Sequence, residues 1–178
     1  MDWTSVTVGV GGQAPWSHAV PPELAEGARL LLGSSGSTGE PKAMVLDLNR
    51  LWAAGKTFLQ YNEVSGDVRF WNYLPMSYLG GLFNLALIPF AAGGSVFVDE
   101  AFSGRTFLTF WSTVERFEIS ALWFVPTIMR GLLSLTDRVG QVPPRPKVAH
   151  CFLGTAPVSQ QEKRRFVEIF GLQPLENF

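Results

Sequence analysis

From residue 28 onward, short apolar runs alternate with longer stretches of helical character, and this alternation limits the fold more than any other feature. Strand-like runs lie at 28–33, 43–48, 67–75, 95–99, 119–125 and 147–154, and 173–177 begins a last one. Between them, helices are predicted over 50–61, 79–92, 104–117, 127–137 and 160–170. The punctuation agrees. Asn49 and Ser159 are candidate N-caps, Pro126 suits a helix start, and Gly93-Gly94 and Gly171 suit helix ends. In the first helix Leu51, Trp52, Ala54, Gly55 and Phe58 form the apolar face. Strands that alternate with helices predict βαβ units, hence an α/β fold with a mostly parallel sheet and helices on both faces. Residues 1–27 are rich in Gly and Pro, show no clear period, and read as an irregular leading segment.

The composition excludes several classes. With 178 residues, 47% hydrophobic and 16% charged, the chain is long and apolar enough for one globular core. Its 14 Phe and 6 Trp demand extensive burial. A net charge of −1 leaves no electrostatic footprint for nucleic acid or an acidic membrane. The most apolar run, YLGGLFNLALIPFAAGG, is interrupted by Asn84, Pro89 and four glycines. It falls short of the roughly 18–20 apolar residues of a membrane span. The N-terminus has no basic stretch followed by an apolar one, so no signal peptide is expected. The single cysteine, Cys151, excludes an internal disulfide and fits a reducing compartment; a cytoplasmic location is expected. His18 and His150 are too few and too far apart for a metal site, and Ser35 lacks a G-x-S-x-G setting.

One stretch carries chemistry. LLGSSGSTGEPKAMVL places small, hydroxylated residues between two strand-like runs and ends with Pro41-Lys42. A phosphate cradle needs backbone N–H groups free to point inward, which glycine permits. Ser34, Ser35, Ser37 and Thr38 add hydroxyl donors and a candidate Mg²⁺ ligand; Lys42 can meet phosphate oxygens. The P-loop pattern fails, because Glu40 follows Gly39 where lysine is required. The dinucleotide pattern G-x-G-x-x-G is absent too. Composition alone leaves a flexible linker open beside the cradle. The flanking strands and the Pro-Lys exit favour the cradle.

The loop closely resembles the phosphate loop of the adenylate-forming superfamily: acyl-CoA synthetases, aryl-CoA ligases, luciferases and adenylation domains. Against that family's T-S-G-S/T-T-G-x-P-K-G it matches at Ser35, Gly36, Ser37, Thr38, Gly39, Pro41 and Lys42; Ser34 and Ala43 depart from it. Three further stretches follow in the family's order. LPMSYLGGL resembles P-L/M-x-H-x-x-G-L, with Tyr78 at the His position and Gly81 at the Gly. ALWFVPTIM resembles the strand-turn-helix with V-P-T/S, and FLGTAPVS resembles the turn that meets adenine. The resemblance covers residues 28–178.

The resemblance implies ATP-dependent activation of a carboxylic acid to an acyl-adenylate, then transfer to a thiol such as coenzyme A. ATP and Mg²⁺ would be the cofactors. Ser34, Ser35, Gly36, Ser37, Thr38, Gly39 and Lys42 would hold the phosphates, with Thr38 as a magnesium ligand. Gly154, Thr155, Ala156 and Pro157 would flank the adenine; Tyr78, Gly81 and Phe124 would border the acyl group, with Trp123 in the same region. The family's catalytic lysine, its ribose-binding Asp and its Thr-Glu phosphate motif have no counterpart in this sequence. Residues 28–178 are therefore expected to be a partial AMP-binding domain, the central part of the family's large N-terminal domain, shortened at both ends and not competent alone. A non-catalytic remnant, or one half of a split enzyme with a partner chain or self-association, is the alternative.

Overall fold

The computed structural model describes residues 6–8, 16–18, 29–34, 42–64, 66–140 and 145–177. The chain divides into two compact units, Met1–Ala54 and Gly55–Phe178. In the first, β1 (Val6–Val8) pairs antiparallel with β2 (Trp16–His18), so residues 1–27 hold a short strand pair within what the sequence reads as irregular. Next, β3 (Arg29–Ser34) and β4 (Lys42–Asp47) form a separate antiparallel pair. Only residues 35–41 separate these two strands. A parallel pair needs a crossover of about a dozen residues or more, so the short link dictates a hairpin. The apolar run of β4 suggests burial, yet Met44 and Val45 are exposed.

Helix α1 (Leu48–Tyr61) starts before the position that Asn49 would cap. Asp47 is the cap instead: its Oδ1 accepts from the backbone N–H groups of Asn49 and Arg50, at 2.9 and 3.2 Å.

The second unit is built on five parallel strands in the order β6-β5-β7-β8-β9. They are β5 (Arg69–Asn72), β6 (Ser95–Val98), β7 (Ala121–Phe124), β8 (His150–Gly154) and β9 (Leu175–Asn177). The β5–β6 connection is a π-helix, Gly80–Leu87, continued by the short α2 (Ile88–Ala92), where a single continuous helix is predicted. The N–H of Ile88 reaches back five residues to the carbonyl of Phe83. Pro89 has no N–H to give to the preceding turn, and the wide turns sit just before it. Gly93 closes this helix in the left-handed conformation at φ 77°. The remaining crossovers are α3 (Gly104–Arg116), α4 (Pro126–Val139) and α5 (Gln160–Phe170).

Strand parity sorts the core into two layers. Trp71, Tyr73, Leu122, Phe124, Cys151 and Leu153 face α3, α4 and α5, where they meet Phe110, Met129, Phe166 and Phe170. Phe70, Ala121, Trp123 and Phe152 face the other way, against Leu59, Leu85 and Ile88. Helices therefore cover both faces. The side follows the direction of travel: β5 to β6 goes one way, and every later crossover goes the other, as right-handed connections require.

Candidate functional site

In a parallel sheet all C-terminal strand ends share one edge. Ligands collect there where the strand order reverses. Here the reversal falls between β5 and β7. These two strands pair only at Phe70–Ala121 and then part. Past that point Tyr73, fully buried, donates its hydroxyl to the Trp123 carbonyl at 2.7 Å. Burial, with Cys151 nearby, pushes the Tyr73 phenol well above its ordinary value, so it stays protonated and able to donate. Burial also pushes up the Cys151 thiol, which leaves it inert.

The chain leaving β5 is folded back on itself by Asn72, which is 1% exposed. Its Nδ2 donates to the Gly81 carbonyl at 3.0 Å and contacts Met76 Sδ at 2.9 Å, and its Oδ1 accepts from Leu74 N at 3.3 Å. The turn is tight enough to demand glycine: a Cβ at Gly81 would sit 2.3 Å from the Pro75 carbonyl oxygen. Tyr78, inside this turn, is partly exposed. Asn72 was not among the expected site residues. The signal was present, as a lone amide inside the apolar run RFWNYL.

The chain leaving β8 makes the second wall. Gly154 is buried, and Thr155, Ala156 and Pro157 are exposed. Thr155 holds φ 75°, a left-handed conformation that a β-branched residue rarely adopts. The turn is anchored downstream by a capping box. Ser159 Oγ accepts from Glu162 N at 3.2 Å, and Glu162 Oε2 accepts from Ser159 N at 2.9 Å and from its hydroxyl at 2.6 Å. Arg130 of α4 adds a hydrogen bond to Glu162 Oε1 at 2.6 Å. These partners, Arg130 first, hold the Glu162 carboxyl down to about 2.

The structure thus brings Tyr78, Gly81 and residues 154–157 to one sheet edge. Phe124 does not join them. It is fully buried between Phe110 and Phe166, on the face opposite Trp123, and lines the core instead of an acyl pocket. Ser34 and Lys42 belong to the first unit, where they are partner positions across the β3–β4 hairpin. Ser35, Gly36, Ser37, Thr38 and Gly39 lie outside the described residues. Among the described residues no cluster of His, Cys, Asp and Glu side chains could hold a metal, and no helix is long and apolar enough to cross a membrane.

A doubly wound parallel sheet with an order reversal, a splayed central strand pair and a strained turn beside it defines an α/β ligand-binding domain. The chain belongs to the AMP-binding enzyme family, whose model matches residues 9–178. It is 31% identical over 157 residues to sulfoacetate–CoA ligase of Cupriavidus necator, covering 88% of this chain and 30% of that protein. It is 25% identical over 158 residues to crotonobetaine/carnitine–CoA ligase of Escherichia coli, covering 89% and 29%. The chain therefore spans about 30% of the length of these relatives. Among solved structures, apo MatB from Rhodopseudomonas palustris superposes with a TM-score of 0.69 at 22% identity, over 83% of this chain and 28% of that one. O-succinylbenzoate coenzyme A synthetase (MenE) from Bacillus subtilis, in complex with ATP and magnesium ion, gives 0.64 at 22%, over 78% and 27%. These likenesses establish the fold, with its parallel sheet and flanking helices, as that of the adenylate-forming N-terminal domain.

Proposed function

We propose that the chain serves the ATP-dependent activation of a carboxylic acid to an acyl-adenylate, which then passes its acyl group to a thiol such as coenzyme A. The observation that carries this is the neck of the Ser/Gly loop. Ser34 and Lys42 are partner positions across the antiparallel β3–β4 pair, which puts a lysine position at the start of the second strand, where the loop ends. A closed, glycine-rich loop presents backbone N–H groups to an anion. In this reading Ser34, Ser35, Gly36, Ser37, Thr38, Gly39 and Lys42 bind the β- and γ-phosphates of Mg·ATP, with Thr38 next to the ion. Residues 154–157 flank the adenine, and the Asn72-clamped turn with Tyr78 and Gly81 borders the acyl group. The CoA ligase relatives support the thiol acceptor.

The chemistry asks little covalent work of the protein. A carboxylate oxygen attacks the α-phosphorus, the bond to pyrophosphate breaks, and negative charge builds on the leaving group. Preorganised donors and a cation stabilise that charge. The thiol then attacks the acyl carbonyl and AMP leaves. The test is calorimetric titration with Mg·ATP. Lys42→Ala is expected to weaken binding by about tenfold, the scale of one charge-assisted contact. Equal binding by both proteins would remove Lys42 from this role. Trapping the adenylate with hydroxylamine across a panel of acids tests the activation step.

A further inference from the structure

Two indole N–H groups are buried without a hydrogen-bond partner among the described residues, those of Trp71 and Trp123. They differ in place. Trp71 lies mid-sheet on the α3 face, enclosed by Tyr73, Phe97 and Phe110. Trp123 lies on the opposite face, on the strand that borders the order reversal. Its cross-strand neighbour is Phe152, yet its Nε1 reaches two residues further along β8, to Gly154. A Cβ on Gly154 would sit 2.9 Å from that nitrogen. The indole thus leans toward the C-terminal edge with its N–H leading, and a glycine stands where any side chain would crowd it. Phe58 and Phe152 hold the ring, with centroids at 5.2 and 5.1 Å. Trp123 is 4% exposed, and a buried donor with no acceptor is costly unless something supplies one. Gly154 opens directly into the Thr155 turn, so the orphan donor and the strained backbone meet at one spot.

We infer that Trp123 Nε1–H donates to the substrate, and that the acid activated here carries a second hydrogen-bond acceptor, such as a carbonyl or nitro oxygen, besides its carboxylate. This rests on the ligase reading for the identity of the ligand as an acid. The donor selects by penalty. An acid with only alkyl groups in this place leaves the indole unpaired, whereas an acceptor-bearing acid satisfies it.

The experiment uses matched acids of nearly equal shape: 4-oxopentanoate against 4-methylpentanoate, and 4-nitrobenzoate against 4-isopropylbenzoate. The readout is the indole region of ¹H–¹⁵N spectra of the full chain. The Trp123 signal is assigned by its loss in Trp123→Phe, and the remaining indole signals report that this variant is folded. At least one acceptor-bearing acid is expected to move the Trp123 Nε1–H signal, with its alkyl partner leaving it in place. Trp123→Phe is expected to weaken that acid by roughly five- to tenfold, the scale of one hydrogen bond, and its alkyl partner hardly at all. No response to either acceptor-bearing acid, or an equal response to both members of each pair, overturns the inference. Mg·ATP titration of the same samples separates the two readings. An intact indole response without nucleotide binding would sink the ligase and leave the acceptor site standing, and the reverse would sink only the acceptor site.

Discussion

Asn72, buried at the end of β5, clamps the turn that carries Tyr78 and Gly81. Its amide is buried and engages three partners within the turn, all of which its loss would remove. Asn72→Leu, similar in shape, is expected to cost about 1–3 kcal/mol in urea unfolding, the range for a stranded buried polar group. If Tyr78 borders the acyl group as proposed, the substitution should also weaken acid binding more than Mg·ATP binding, because the turn that Asn72 clamps carries Tyr78. A variant as stable as the parent would mean the clamp contributes nothing. The sequence shows this amide but not its partners, which are set by how the chain doubles back after Leu74. Two other residues mark the limits of local reading. A left-handed position is usually announced by glycine, and Thr155 gives no such sign. Phe124 and Trp123 are adjacent in sequence and were read as one region. Successive strand residues point to opposite faces, so only one of the two can meet a ligand on a given side.

Element boundaries were legible wherever local chemistry sets them. Pro126 starts α4, the Ser159 cap starts α5 and Gly171 ends it, each as predicted, because fixed φ, side-chain capping and left-handed closure act over a few residues. The apolar run of β4 does not say what covers it, and Met44 and Val45 are exposed. At the α5 cap the electrostatics give a prediction with a definite sign. The Glu162 carboxyl ionises near 2 in the folded chain, below its ordinary 4.5. The folded state thus binds fewer protons than the unfolded one, and the stabilisation is complete above about pH 4.5. It fades as pH falls and is gone near pH 2. Arg130 is half exposed and Glu162 partly so, and solvent screening keeps the effect small. Glu162→Gln should flatten this part of the stability–pH curve, and Ser159→Ala should cost about 1 kcal/mol at neutral pH. A Glu162→Gln curve parallel to that of the parent would show that the capping box is not coupled to folding.

Across the second unit, stability is set by which strands are covered on both faces. Every residue of β7 is buried, as are three of the four in β5 and four of the five in β8. The edge strands β6 and β9 contain no buried residue. Parallel strands sealed on both sides lose their amide protons only when the sheet opens as a whole, whereas edge strands can fray alone. Native-state hydrogen exchange should therefore find β5, β7 and β8 slowest, with a common opening free energy, and β6 and β9 faster by tenfold or more. Leu122→Ala, which removes a fully buried side chain from the middle of β7, should lower that common value by about 2–5 kcal/mol. It should leave the faster edge amides nearly unchanged, since their opening does not pass through the core. If β6 exchanged as slowly as β7, or if Leu122→Ala moved edge and centre alike, the sheet would open as one piece. The splayed β5–β7 edge would then be a rigid crevice, and binding of nucleotide or acid there would slow exchange in all five strands together.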